Sequence, residues 1–228
     1  MEDTLTAPEV ATVTQRLWNG AAHVHEAILA HPFLAGLTDG TLPADTFAYY
    51  LAQDAHYLRD YARTLAVVAA KAPTHADTAL LARHAAETAE VELALHETLL
   101  PQLGIDAAAL ADVAVSPTTT AYTSYLLATA HGGTFADGLA AVLPCYWIYQ
   151  RVGQSLVAAG SPDARYRRWI DTYADDAFAE TVAAVLALAD RLVVDAAAES
   201  GMHRHFGVTA RYEWMFWDAA WRREGWPL

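Results

Sequence analysis

Residues 49–61 read Tyr49-Tyr50-Leu51-Ala52-Gln53-Asp54-Ala55-His56-Tyr57-Leu58-Arg59-Asp60-Tyr61. Tyr50, Asp54, Tyr57 and Tyr61 recur at spacings of four, three and four, the period of a helix, so they share one face. That face carries a carboxylate among phenols where a purely structural stripe would more often use leucine. A carboxylate turned inward must be hydrogen-bonded or paired to be tolerated. Either Asp54 receives donors from a ligand, such as an exocyclic amine, or it bonds a neighbouring tyrosine or arginine and only holds helices together. The spacing identifies the helix and leaves the role open.

Helical signals extend in both directions. A first helix is expected from near Pro8 to about Ala30, burying Leu17, Ala21, Val24 and Ile28. His31-Pro32 ends it, because the residue before proline is pushed out of helical geometry. Residues 36–43, with two glycines and a proline, read as a connector. The helix around Asp54 should then run from Pro43, suited to a first turn, to about Lys71, with Asp45 at its positive end. Further helices are expected over His75 to Leu103, Ser116 to His131, and from Thr134 onward. This last one either kinks at Pro144 or restarts there. Ser161-Pro162-Asp163 opens a segment towards Tyr173. A helix from Asp175 to Glu199 and one from Gly201 to Arg223 close the chain. No alternating strand pattern, internal repeat or long linker interrupts them. The expectation is a single all-α domain over residues 1–228, a bundle of about seven or eight helices.

Composition agrees. Of 228 residues, 54% are hydrophobic, with only 12 glycines and 9 prolines, a balance that favours packed helices over short strands. The net charge is −13 and no lysine–arginine cluster exists, which disfavours nucleic acid and anionic membrane as partners. Met1-Glu2-Asp3-Thr4 is acidic and does not resemble a secretory signal, and no apolar run reaches membrane-spanning length. One cysteine and no signal point to the cytoplasm.

That cysteine lies in Leu143-Pro144-Cys145-Tyr146-Trp147-Ile148-Tyr149. Tyr149 is one turn on and shares its face. If Pro144 opens a helix, free N–H groups and the helix dipole would favour a thiolate nucleophile at Cys145. The alternative is a small buried hydrophobe. A third window, Arg211-Tyr212-Glu213-Trp214-Met215-Phe216-Trp217-Asp218, places Glu213, Phe216 and Trp217 on one face. Desolvation there would raise the glutamate pKa and suit it to acid–base work, unless Glu213 is solvated and pairs with Arg211 or Arg222. Metal binding is disfavoured. Glu92, His96 and Glu97, with His84 upstream, lack a second matching element, and the pairs His23/His25 and His203/His205 diverge around a helix. Phosphate-loop, nucleophile-elbow and His-Glu-x-x-His signatures are absent.

Together the windows resemble the TenA family, thiaminase II or aminopyrimidine aminohydrolase. The likeness runs in order through His31-Pro32-Phe33, Asp39-Gly40-Thr41-Leu42-Pro43, Tyr49-Tyr50, Gln53-Asp54, Tyr122-Thr123-Ser124-Tyr125, Leu143-Pro144-Cys145-Tyr146-Trp147, Trp169-Ile170-Asp171-Thr172-Tyr173, Tyr212-Glu213 and Phe216-Trp217-Asp218. The resemblance implies a haem-oxygenase-like all-α fold without haem, a homotetramer, and no metal or organic cofactor. It implies Cys145 as nucleophile, Glu213 as acid–base group, and Asp54 as the carboxylate holding the aminopyrimidine. Tyr57, Tyr122, Tyr149, Tyr173 and Phe216 would line the pyrimidine site. The implied reaction replaces the leaving group on the C5 methylene of a 4-aminopyrimidine with water, giving hydroxymethylpyrimidine. The substrate would be thiamine or 4-amino-5-aminomethyl-2-methylpyrimidine. His56 departs from the family pattern, where a less polar or aromatic residue is expected. Alternative readings are a non-catalytic pyrimidine-binding or regulatory protein on the same fold, or a metal-dependent oxidase.

Overall fold

The computed structural model describes residues 11–94 and 113–228, with side chains excluded at 91–94. Among the described residues there are nine helices and no strand: α1 Val13–Leu29, α2 Pro32–Asp39, α3 Ala44–Ala70, α4 His75–Ala94, α5 Pro117–Gly132, α6 Phe135–Leu156, α7 Ala164–Ala174, α8 Asp176–Asp190 and α9 Ala196–Arg222. None is long and apolar enough to cross a membrane. The expected start of the first helix before residue 11, the end of the third near Leu103, and His96 and Glu97 lie outside the described residues.

Most helix starts carry a side-chain cap. Thr12 with Gln15 and Thr134 with Asp137 form reciprocal capping boxes. Ser116, Asp163, Asp175 and Asp195 each accept a bond from a first-turn N–H. The aliphatic stripe of α1 is buried as expected, and so is the whole Tyr50–Tyr61 stripe of α3. α3 packs mainly on α4 and α5, and α6 packs mainly on α9. The rings of Tyr50 and Tyr57 lie 5.8 and 5.7 Å from Phe216 of α9.

The structure corrects three expectations. Pro32 opens a helix as well as closing one. His31 accepts a bond from the Phe33 N–H, proline occupies the first turn, and Gly40, with φ 78°, ends α2 in left-handed geometry. Buried Phe33, Leu34 and Leu37 hold α2 down. Asp175 to Glu199 is not one helix. It breaks between Asp190, whose carboxylate accepts bonds from the Thr14 N–H and hydroxyl, and the cap Asp195. Finally, α6 runs unbroken through Pro144, so no helix begins there.

Candidate active site

The stripe of α3 faces a cavity of about 320 Å³, at the small end of ligand pockets. Asp54, Tyr57 and Tyr61 form one wall, Cys145, Tyr146 and Tyr149 of α6 the opposite one, and Trp169 and Tyr173 of α7 a third. α7 can come this close because Gly153 lacks a side chain: a Cβ there would stand 2.5 Å from the Tyr173 carbonyl carbon. The cavity opens past Glu87, Arg168, Thr172 and Phe178 into a wider surface groove.

Asp54 is only 8% exposed, and its carboxylate accepts no hydrogen bond and meets no cation among the described residues. Burial pushes its pKa up to about 7. The reading of Asp54 as a brace between helices therefore fails: it braces nothing and borders a cavity. Such a group is costly to fold and takes donors readily from whatever enters. The buried Tyr57 hydroxyl on the same wall makes no full hydrogen bond among the described residues and lies near enough to Cys145 to favour its thiolate.

Glu213 is 1% exposed and accepts a 2.5 Å hydrogen bond from the Tyr122 hydroxyl. Burial pushes its pKa up to about 8; the Tyr122 bond opposes this and the charge of Asp54 adds to it. Solvated pairing with Arg211 or Arg222 is excluded, because Arg211 bonds the Gly207 carbonyl and Arg222 pairs with Asp218.

Cys145 is half-buried because its surface borders the cavity, while protein encloses the thiol on its other sides. Burial first, then the negative charge of Glu213, pushes its pKa well above the ordinary thiol value; the Tyr57 and Tyr61 phenols favour the thiolate more weakly. The expected thiolate at a helix start is therefore overturned. Cys145 sits within α6, without free first-turn N–H groups to stabilise an anion, and rests as a thiol.

Of the residues anticipated for the site, Asp54, Tyr57, Cys145, Tyr149 and Tyr173 face the cavity together. Tyr122, Glu213 and Phe216 stand one layer behind it, with Tyr122 and Phe216 packed 4.9 and 5.7 Å from the Tyr57 ring. From there the charge of Glu213, when ionised, adds to burial in raising the Cys145 pKa. His56 lies off the cavity and bonds the Val113 carbonyl at 2.8 Å, which ties α3 to the chain entering α5.

Sequence reasoning missed the contribution of α4. His84, Glu87 and Thr88 share one face by spacing of three and four and close the cavity beside Asp54's helix, on which α4 packs. His84 Nδ1 lies 3.1 Å from the Tyr146 hydroxyl. The pair His203/His205 acts as braces: His203 faces Glu199, and His205 faces Asp137 and Tyr125.

The sequence profile of the TENA/THI-4/PQQC family matches residues 15–223. The chain belongs to the TENA/THI-4/PQQC family. A relative from Bacillus subtilis named aminopyrimidine aminohydrolase is 38% identical over 210 residues, spanning 91% of this chain and 89% of that one. Among solved structures, a TenA homologue from P. horikoshii OT3 superposes with a TM-score of 0.88 at 28% identity, covering 93% of this chain and 99% of that one. A domain from Shewanella denitrificans OS217 with a heme oxygenase-like fold superposes at 0.75 with 17% identity, covering 94% of each chain. The TENA/THI-4/PQQC chain thus has the haem-oxygenase-like helical fold, and its enclosed cavity is lined by the family-like windows from α3, α6 and α7.

Proposed function

We propose that this chain is an aminopyrimidine aminohydrolase that works in thiamine salvage or degradation. It replaces the group on the C5 methylene of a 4-aminopyrimidine with water and releases hydroxymethylpyrimidine. The observation that carries this reading is the unpartnered carboxylate of Asp54, facing the same small aromatic cavity as the only thiol of the chain. A flat ring with an exocyclic amine satisfies Asp54, and the tyrosine walls pack its faces. The family and the Bacillus relative point to the same substrate class.

The mechanism follows from the resting charges. At neutral pH Glu213 is largely protonated and Cys145 is a thiol. Glu213 gives its proton to ring N1 as sulfur bonds to C6, and the resulting carboxylate takes the proton from the thiol. Glu213 stands one layer behind the cavity wall, so this transfer requires its carboxyl to reach the seated ring past the Tyr57 side chain. The electron pair of C4=C5, pushed by the 4-amino group that Asp54 holds, expels the leaving group as ammonia or a neutral thiazole. The exocyclic methylene that remains takes up water. The C6–S bond then breaks, Glu213 returns its proton to the sulfur and takes up the N1 proton, and the thiol is restored. Side chains and the ring handle every charge. The protein acts as a single helical domain, assembled as a homotetramer in the cytoplasm.

The test is direct. The purified protein is given 4-amino-5-aminomethyl-2-methylpyrimidine and thiamine in parallel, and hydroxymethylpyrimidine is measured by chromatography. Product from at least one is expected, and the ratio of kcat/KM values identifies the physiological task. No product from either would overturn the reading and leave a pyrimidine-binding protein.

A further inference from the structure

The reaction has a step that the groups assigned so far cannot serve. Water attacking the methylene must lose a proton, yet at that moment sulfur is bonded to C6 and Asp54 holds the 4-amino group. Glu213 already carries the proton it took from the thiol. Burial pushes Tyr57, Tyr61 and Tyr149 well above the ordinary phenol value, so they are poor proton acceptors. The Thr88 hydroxyl is engaged in donating to the His84 carbonyl at 2.7 Å.

His84 remains. It is 6% exposed and lines the cavity between Tyr146, next in sequence to Cys145, and Glu87 at the mouth. Its Nδ1 lies 3.1 Å from the Tyr146 hydroxyl, and with Nδ1–H donating to that oxygen Nε2 is the ring nitrogen left to accept a proton. We propose that His84 is a further catalytic residue of this reaction, the base that takes the proton from the water attacking the C5 methylene, with Tyr146 as its positioning residue. This rests on the hydrolase reading above.

The step balances. The water oxygen bonds the methylene carbon, its O–H pair stays on oxygen, and the proton passes to Nε2. The C5=CH2 pair returns to C4=C5, and the charge on the amidine is lost. His84 then gives its proton to the ammonia that has left, or to solvent. The surroundings keep the imidazole neutral and ready: burial lowers its pKa and the Arg83 charge adds to this, against the charge of Glu87. The Tyr146 ring packs 5.7 Å from it, and Cys145 of α6, Tyr61 of α3 and Arg168 of α7 line the same cavity.

His84→Gln in the full-length protein is the test, with the aminomethyl substrate in a single turnover. Loss of a general base predicts a fall in kcat of about 10²-fold or more. Ammonia should appear once per site while the alcohol lags, and intact mass should show the pyrimidine held on Cys145. Added hydroxylamine, a neutral nucleophile that needs no base to attack, should restore turnover. Wild-type turnover in His84→Gln, or equal slowing of ammonia and alcohol with no adduct, would overturn the assignment. Tyr146→Phe keeps the imidazole but frees it, and should lower kcat about tenfold at unchanged KM. An unchanged kcat there would equally overturn it, which keeps the inference testable should His84→Gln not fold. An inactive wild-type protein would instead overturn the hydrolase reading.

Discussion

α1 and α3 bury stripes at the same helical spacing, and the two stripes could hardly differ more. Leu17, Ala21, Val24 and Ile28 of α1 are aliphatic and lie against other side chains. Tyr50, Asp54, Tyr57 and Tyr61 of α3 are polar-tipped, and the last three line a cavity. The first stripe stabilises the fold. The second is tolerated at a cost, since it buries an unpaired carboxylate and leaves a hydroxyl without a full hydrogen bond among the described residues. The contrast teaches that burial alone does not identify a core: what matters is whether the buried group is satisfied by the protein or waits for something else.

Substitutions can break or sharpen that contrast. The largest effect is expected at Glu213. Glu213→Gln keeps the shape and the Tyr122 contact but cannot shuttle a proton, so kcat should fall by about 10²–10⁴-fold with little loss of stability, read by steady-state kinetics alongside thermal unfolding. Next come opposite outcomes from the two stripes. Ile28→Ala, at a fully buried position of α1, should cost about 2–5 kcal/mol of stability in denaturant unfolding and leave KM unchanged. Asp54→Asn should do the reverse, raising stability near pH 7 while weakening pyrimidine binding by about 10- to 100-fold, as a lost charge-assisted hydrogen bond does. If both variants moved stability in the same direction, the contrast would fail.

The smallest effect is a slope. Burial moves Asp54 from 3.8 to about 7 and Glu213 from 4.5 to about 8. Both native pKa values are raised, so between these limits the folded protein binds more protons than the unfolded chain. The stabilisation linked to these groups is full below about pH 4 and is lost as pH rises towards about 8. Unfolding temperature from these two groups should therefore fall over that window, and Asp54→Asn combined with Glu213→Gln should flatten the profile.

Much of this was legible in the sequence, for physical reasons that also explain what was not. Helical period is a local property, so both stripes and most helix starts could be read from spacing and capping residues. α2 was hidden because proline and glycine break helices in one context and begin or end them in another. Pro32 and Gly40 serve as a first-turn residue and a left-handed cap. The break between α8 and α9 depends on Asp190 bonding Thr14, residues 176 apart in sequence. Asp54, Glu213 and Cys145 could be singled out as unusual residues, but their charge states could not. The thiolate expected at Cys145 fails because a proline within a helix looks the same in sequence as one that starts a helix. His84 carries no local peculiarity, and its place opposite Tyr146 exists only once α4 and α6 pack.

The central claim is that Cys145 is a nucleophile and not a packing residue. The measurement that tests it most directly is turnover of 4-amino-5-aminomethyl-2-methylpyrimidine by Cys145→Ala, together with binding of hydroxymethylpyrimidine by calorimetry. The account predicts binding close to wild type and no detectable hydrolysis. Hydrolysis at the wild-type rate in that variant would contradict it and return Cys145 to the core.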